Sequence, residues 1–202
     1  MLKIHHLPRA RGLRVVWLCE EMGVPYEIAP VSFPPNDAYK KLNPMGSVPF
    51  LEDDDGVGIN ESVAMMLYIA QKYGPTPLMP SPVDSRFARV LQMTVFGEAT
   101  LGGYGNILMG ARFFAPDEHK QNWSATYAQE RMVRGMQYAA DILSTHLYLA
   151  GEQFTLADIS VGYAVGVART MMGMESDIAP SLLAHHDRIT ARPAFQRANA
   201  VK

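Results

Sequence analysis

The stretch that decides the fold is Asn43-Pro44-Met45-Gly46-Ser47-Val48-Pro49-Phe50-Leu51-Glu52, answered downstream by Val57-Gly58-Ile59-Asn60-Glu61-Ser62. A Gly-containing loop runs into Val48-Pro49, and residues 48–52 read as a strand. Proline cannot donate to a β-ladder, so a strand start is where it is tolerated. A cis Val48–Pro49 bond costs only about 0.5–1 kcal/mol more than trans. It turns the Val48 N–H and C=O outward, where a peptide-like ligand can pair with them as an added strand. The plain alternative is a proline that only starts a strand. Asp53-Asp54-Asp55-Gly56 then reads as a solvated hairpin turn and Val57–Ile59 as the returning strand. An acidic run can hold a metal ion, but no other ligand set accompanies this one.

Working outward, residues 2–6 read as a strand. A helix pattern follows from Gly12 to Met22, stopped by Gly23 and Pro25, and Tyr26 to Val31 reads as a second strand. Strand, helix and strand within about thirty residues is the signature of a parallel βαβ pair. A short helix is expected over 37–42. A stronger one covers 61–73, with Val63, Met66, Leu67 and Ala70 on one face and Gly74 after its end. Four prolines between Gly74 and Pro82 exclude a helix or central strand and mark a linker. Beyond it only helical periods occur, over 84–113, 117–148, 156–171, 178–191 and 194–199. The expected organisation is an α/β domain over 1–76, a Pro-rich linker over 77–84 and an all-helical domain over 85–202.

Composition narrows the function. The 202 residues are 48% hydrophobic and 19% charged, with a formal net charge of −2. That balance fits a globular chain with a real core and disfavours an electrostatic nucleic-acid or membrane binder. The N-terminal residues lack a signal-peptide pattern, and no apolar run is long enough to span a bilayer. The sequence therefore predicts a soluble, cytoplasmic protein. The single cysteine, Cys19, lies in the apolar run Val15-Val16-Trp17-Leu18-Cys19 and reads as core.

Three other constellations carry weight. Asn60-Glu61-Ser62 opens a helix, where free N–H groups, the helix dipole and the Ser62 hydroxyl suit an anion and the Glu61 carboxylate suits a cation. Such a pair matches the free amino-acid end of a ligand, and simple capping is the competing reading. Pro8-Arg9-Ala10-Arg11-Gly12 brings guanidinium groups and a helix start to the loop after the first strand, able to stabilise a thiolate or carboxylate, with plain surface arginines as the competing reading. Thr155 and Asp158 form a capping box, with Phe154 and Ile159 as its staple, a feature of folding. Alternation places His5 and His6 on opposite sheet faces. His185-His186-Asp187 lacks the further ligands of a zinc site.

The order of these features resembles bacterial cytosolic glutathione transferases: a strand-loop-helix start, a G-x-V-P loop at 46–49, an acidic-Ser pair a dozen residues on, a Pro-rich linker and a late T-x-A-D box. Arg11-Gly12-Leu13-Arg14-Val15-Val16-Trp17-Leu18-Cys19-Glu20-Glu21-Met22-Gly23-Val24-Pro25-Tyr26 is similar to that family's first helix and second strand. Ala191-Arg192-Pro193-Ala194-Phe195-Gln196-Arg197-Ala198 is similar to its C-terminal ending.

The resemblance implies an α/β thioredoxin-like N-terminal domain followed by an all-α C-terminal helical bundle. It implies a glutathione site in which Val48 pairs with the cysteinyl backbone and Glu61 and Ser62 hold the γ-glutamyl end, with Ser47 and Pro49 in the same set. Ala10 and Tyr104 would line the pocket of a small hydrophobic electrophile. No metal is implied. A homodimer is implied, with Met65, Met66 and the 85–100 region as contacts, and a role in detoxification. Relatives carry Ser, Cys, Thr or Asn in the first loop, whereas this loop has Ala10 and Gly12. Thiol activation then falls to Arg11, to the N–H groups of Gly12 or Leu13, or to the helical domain, where Tyr104 is the candidate. Two alternatives stand beside transfer: a glutathione- or partner-binding protein without turnover, and a glutathione-dependent disulfide reductase or peroxidase.

Overall fold

The computed structural model describes residues 1–54 and 56–202; Asp55 of the expected acidic turn lies outside the described residues. The chain divides into two units, Met1–Met79 with Ala191–Lys202, and Pro80–Thr190.

The first unit is built on β1 (Leu2–His6), α1 (Gly12–Met22), β2 (Tyr26–Pro30), α2 (Asp37–Leu42), β3 (Phe50–Asp53), β4 (Val57–Ile59) and α3 (Ser62–Lys72). The sheet order is β2-β1-β3-β4. β1 and β2 are parallel, with Ile4 opposite Ile28, and β3 is antiparallel to both β1 and β4. The apolar periods explain this arrangement. Leu2, Ile4 and Leu51 from the sheet are fully buried, as are Val15, Val16 and Leu18 of α1 and Met66 and Ile69 of α3. Gly23 ends α1 in the left-handed conformation, as its position predicts.

Two expectations need correction here. Met65 and Met66 are fully buried within the chain, so neither is available as a contact between copies. Asp53 is not a solvated turn residue. Its buried carboxylate accepts hydrogen bonds from the Tyr68 hydroxyl, the Tyr73 hydroxyl and Lys72 Nζ, each at 2.8 Å. Burial opposes ionisation, but Lys72 and the two phenols outweigh it and hold the carboxyl well below the usual range. The hairpin is thereby tied to the end of α3.

Past the linker run α4 (Phe87–Phe96), α5 (Gly103–Met109), α6 (Trp123–Leu143), α7 (Leu156–Thr170) and α8 (Pro180–Thr190), which form the second unit. The helix expected over 84–113 is interrupted twice, at Gly97–Gly102 and Gly110–Phe114, by π-helical turns. The first interruption has a visible cause. At Gly97 the chain meets Ser160 of α7 so closely that a Cβ would collide with it, and the Ser160 hydroxyl donates to the Thr94 carbonyl at 2.6 Å. The helix expected over 117–148 begins only at Trp123, where the Asn122 side chain caps it by accepting from Ala125 N–H at 3.0 Å.

The Thr155–Asp158 capping box is present as expected. Asp158 also accepts from Leu149 N–H at 3.0 Å and lies 2.9 Å from His185 Nε2. That contact accounts for His185 as a buried structural residue.

The last helix, α9 (Pro193–Ala200), departs from the sequence-based organisation, which carries the helical domain to residue 202. It packs on α1 of the first unit. The Phe195 ring meets Trp17 edge-on at 4.8 Å. Arg192 holds Glu21 through two hydrogen bonds of 2.6 and 2.7 Å, and Arg197 holds Glu20 at 2.6 Å.

His186 makes stability pH-dependent. Burial, reinforced by nearby Arg169, lowers its pKa to about 4. The unfolded residue takes up its proton near pH 6.5, so this contribution is complete above that value and is lost as the pH falls toward 4. The loss at full protonation is about 3 kcal/mol. His6, also lowered by burial, acts in the same direction. Thermal unfolding at pH 7 and pH 4.5 should show a smaller drop in Tm for His186→Gln than for the parent; an equal drop contradicts this account.

Candidate functional site

The site is assembled where the loop before β3 meets the start of α3. Gly46 turns the loop with φ +62°, and its N–H donates to the Asn43 carbonyl at 2.8 Å. Asn36 caps α2 and so places Tyr39 and Asn43 one turn apart beneath the loop. The Tyr39 hydroxyl donates to the Ser47 carbonyl at 2.5 Å, and Asn43 Nδ2 donates to the same oxygen at 2.7 Å. Burial raises the Tyr39 phenol above its ordinary pKa, so it remains a donor at neutral pH. The Val48–Pro49 peptide bond is cis. The β3 ladder begins at Phe50, which leaves the Val48 backbone outside the pairing of β3 with β1 and β4. The Val48 side chain packs against Val31, Tyr39 and Phe50, while Ser47 is exposed and Pro49 buried.

Asn43 also reaches the other half of the site. Its Oδ1 accepts from Asn60 Nδ2 at 3.5 Å, at the outer edge of hydrogen-bond distance. Asn60 immediately precedes Glu61, a non-glycine residue at φ +69°. That backbone conformation costs about 1–3 kcal/mol and is concentrated at functional sites. Glu61 is exposed. Ser62 begins α3, is only 2% exposed, and its Oγ has no hydrogen-bond partner among the described residues. A buried hydroxyl left unpaired at a helix N-terminus is a group prepared for an anionic or polar guest.

A second element lies at the end of β1. Arg9 has φ +65°, and Ala10 N–H closes a turn onto the Leu7 carbonyl at 3.1 Å. Ala10 and Arg11 are half-buried, and Arg11 directly precedes α1. Leu13 N–H is already donated to the Ala10 carbonyl at 3.0 Å, so of the two amides expected to serve a thiolate only that of Gly12 remains. Cys19 is fully buried in α1, and burial pushes its thiol up to about 12, which makes it core and not a nucleophile. His5 and His6 are both buried; His5 Nε2 lies 2.7 Å from Glu52 Oε1, with its ring near Tyr39 and Phe50.

Tyr104 belongs to the second unit, on α5. Its ring lies 6.1 Å from Tyr127 and 5.8 Å below the Arg131 guanidinium, and Tyr127 stacks on Trp123. The expected residues Ser47, Val48, Pro49, Glu61 and Ser62 lie in these two segments; Asn43 and Asn60 stand beside them in the sequence reading without a role, and Tyr39 is not singled out there, yet their hydrogen bonds join the segments. The signals were present: the turn-forming Asn43-Pro44 pair, and an Asn before the acidic-Ser pair.

Comparison with known proteins identifies the family. Residues 10–72 match the glutathione S-transferase N-terminal domain family, and residues 108–197 match the glutathione S-transferase C-terminal domain family. The chain is 32% identical over 185 residues to glutathione S-transferase 3 of Schizosaccharomyces pombe, covering 84% of this chain and 75% of that protein. Among solved structures, a glutathione transferase of Burkholderia graminis superposes with a TM-score of 0.86 at 24% identity, covering 98% of this chain and 87% of that one. The glutathione transferase URE2P8 of Phanerochaete chrysosporium, solved with oxidized glutathione, gives a TM-score of 0.83 at 27% identity, covering 98% and 92%. With a thioredoxin-like α/β unit followed by a helical unit, and with this likeness along most of its length, the chain belongs to the glutathione S-transferase family.

Proposed function

We propose that the chain is a glutathione transferase that binds glutathione in its first unit and activates the thiol for attack on a small hydrophobic electrophile. The observation that carries this reading is the unpaired, buried Ser62 hydroxyl at the start of α3, beside a Glu61 held at positive φ. The γ-glutamyl carboxylate takes the Ser62 hydroxyl and the α3 N-terminus, and its ammonium takes the Glu61 carboxylate. The cysteinyl backbone pairs with Val48 as an added strand, bordered by Ser47 and Pro49.

Arg11 and the Gly12 N–H are the groups proposed to hold the thiolate. A free thiol ionises near 8.5, so lowering it by two requires about 2.7 kcal/mol, within reach of one or two charge-assisted hydrogen bonds. The thiol proton leaves to solvent, the sulfur lone pair forms the new C–S bond, and the electrophile's leaving group, chloride for a chloro-aromatic substrate, departs with the pair of the bond that breaks. The protein contributes positioning and electrostatics and no covalent nucleophile. Ala10 leaves room for the electrophile. The same loop, without hydroxyl or thiol, favours a second reading in which glutathione is bound without turnover.

We further read the protein as a cytoplasmic homodimer acting in detoxification. No helix among the described residues is long and apolar enough to cross a membrane. An apolar groove on α4, lined by Phe87, Ala88, Leu91 and Val95, supports association of two copies.

Replacing Glu61 and Ser62 together by Ala should abolish retention on immobilised glutathione; undiminished retention would exclude this site. Asn43→Ala should raise KM for glutathione about tenfold, the equivalent of about 1.4 kcal/mol, and leave kcat largely unchanged. A fall in kcat at constant KM in steady-state assays with a chloro-aromatic substrate would contradict that role. Leu91→Glu with Val95→Glu should give a monomer by sedimentation, and a persistent dimer would place the interface elsewhere.

A further inference from the structure

His6 is the last residue of β1, and its carbonyl accepts from Val31 N–H at 2.8 Å, so its backbone is fixed by the sheet. Its side chain is 2% exposed, and Nδ1 has no hydrogen-bond partner among the described residues. Leucine or phenylalanine in the same place would avoid the free-energy cost of that unpaired nitrogen. The nitrogen faces the first residue of α1. A Cβ on Gly12 would collide with His6 Nδ1, so the glycine and the imidazole are fitted to each other. Between them runs the loop of Arg9, Ala10 and Arg11, with Arg9 at positive φ.

We propose that His6 is a positioning residue for the glutathione thiol: its imidazole, seated against Gly12, sets the first turn of α1 so that the Gly12 N–H and Arg11 are presented to the sulfur. This rests on the glutathione-transferase reading above. Three observations converge on it. The loop offers the sulfur no hydroxyl or thiol, so backbone placement carries more of the task. Gly12 N–H donates to no backbone carbonyl among the described residues. The imidazole itself stands on a rigid strand, the kind of support that holds a loop to the tolerance catalysis needs.

The charge state is consistent with this role. Burial lowers the pKa of His6 and keeps the ring neutral at pH 7. A cation in that place would oppose the positive end of α1, whereas a neutral ring with its Nδ1 lone pair toward the helix is favoured there. His6 therefore acts behind the peptide of Gly12 and does not touch the sulfur.

The test compares the thiolate absorbance of bound glutathione against pH in the parent, His6→Leu, His6→Asn and Gly12→Ala, with retention on immobilised glutathione measured in parallel. His6→Leu should remain on the resin, raise the thiol pKa by about one and lower kcat about tenfold, with KM for glutathione little changed. His6→Asn, whose δ atoms fall where Nδ1 stands, should restore most of both. Gly12→Ala, which displaces the ring, should resemble His6→Leu. A parental thiol pKa in His6→Leu overturns the proposal, as does His6→Asn behaving like His6→Leu. If His6→Leu fails to fold, Gly12→Ala decides the matter: a parental thiol pKa in that variant is equally fatal. Failure of the parent itself to be retained overturns the glutathione reading and this role with it. Intact retention without a pKa change removes only His6.

Discussion

Two donors, the Tyr39 hydroxyl and the Asn43 side-chain amide, converge on the carbonyl of Ser47. The carbonyl has two lone pairs, and both are engaged from below, so the peptide leading into Val48 is held in one orientation. The same Asn43 extends its oxygen toward Asn60, one residue ahead of Glu61. The loop before β3 and the first turn of α3 are thus parts of one hydrogen-bonded unit. The donors come from a short helix and from the residue that caps its end, neither of which carries a proposed ligand contact. The six residues of the helix and their cap position the site by supporting it.

Much of this architecture was legible in the chain. The boundaries of α1, α2 and β4 follow from apolar spacing and from Gly and Pro punctuation, because local rules and tertiary packing agree there. The residues that touch a ligand in the proposed reading stood out because they combine unusual chemistry with a helix or strand start. What escaped reading was long-range. Asn43 and Asn60 are ordinary turn residues in sequence, and only folding brings them together. Asp53 looked like one of three solvated carboxylates, yet Lys72 and two tyrosines 15 to 20 residues away make it a buried anchor. The π turns at Gly97 and Gly110 also escaped the local pattern. The first depends on Ser160 of another helix, which no local period reports.

In the proposed reading, the loop after β1 serves the thiolate without a hydroxyl or thiol of its own. With alanine and glycine in the loop after β1, little remains there beyond backbone and guanidinium groups. Backbone donors are useful only when fixed, and the fixing lies in what surrounds them: a left-handed Arg9, a closed turn at Ala10, and His6 against Gly12. Lost functional groups in one layer move the demand for precision into the layer behind it.

The clasp of α9 on α1 has a consequence for the order of events at the ribosome. Residues 1–79 are made before the second unit and contain all four described strands, but Glu20, Glu21 and Trp17 wait for partners at 192, 195 and 197. During translation of the intervening helices, α1 presents an aromatic ring and two carboxylates with their arginines not yet made. The first unit takes in residues 191–202, so its folding during synthesis waits until the second unit has been made.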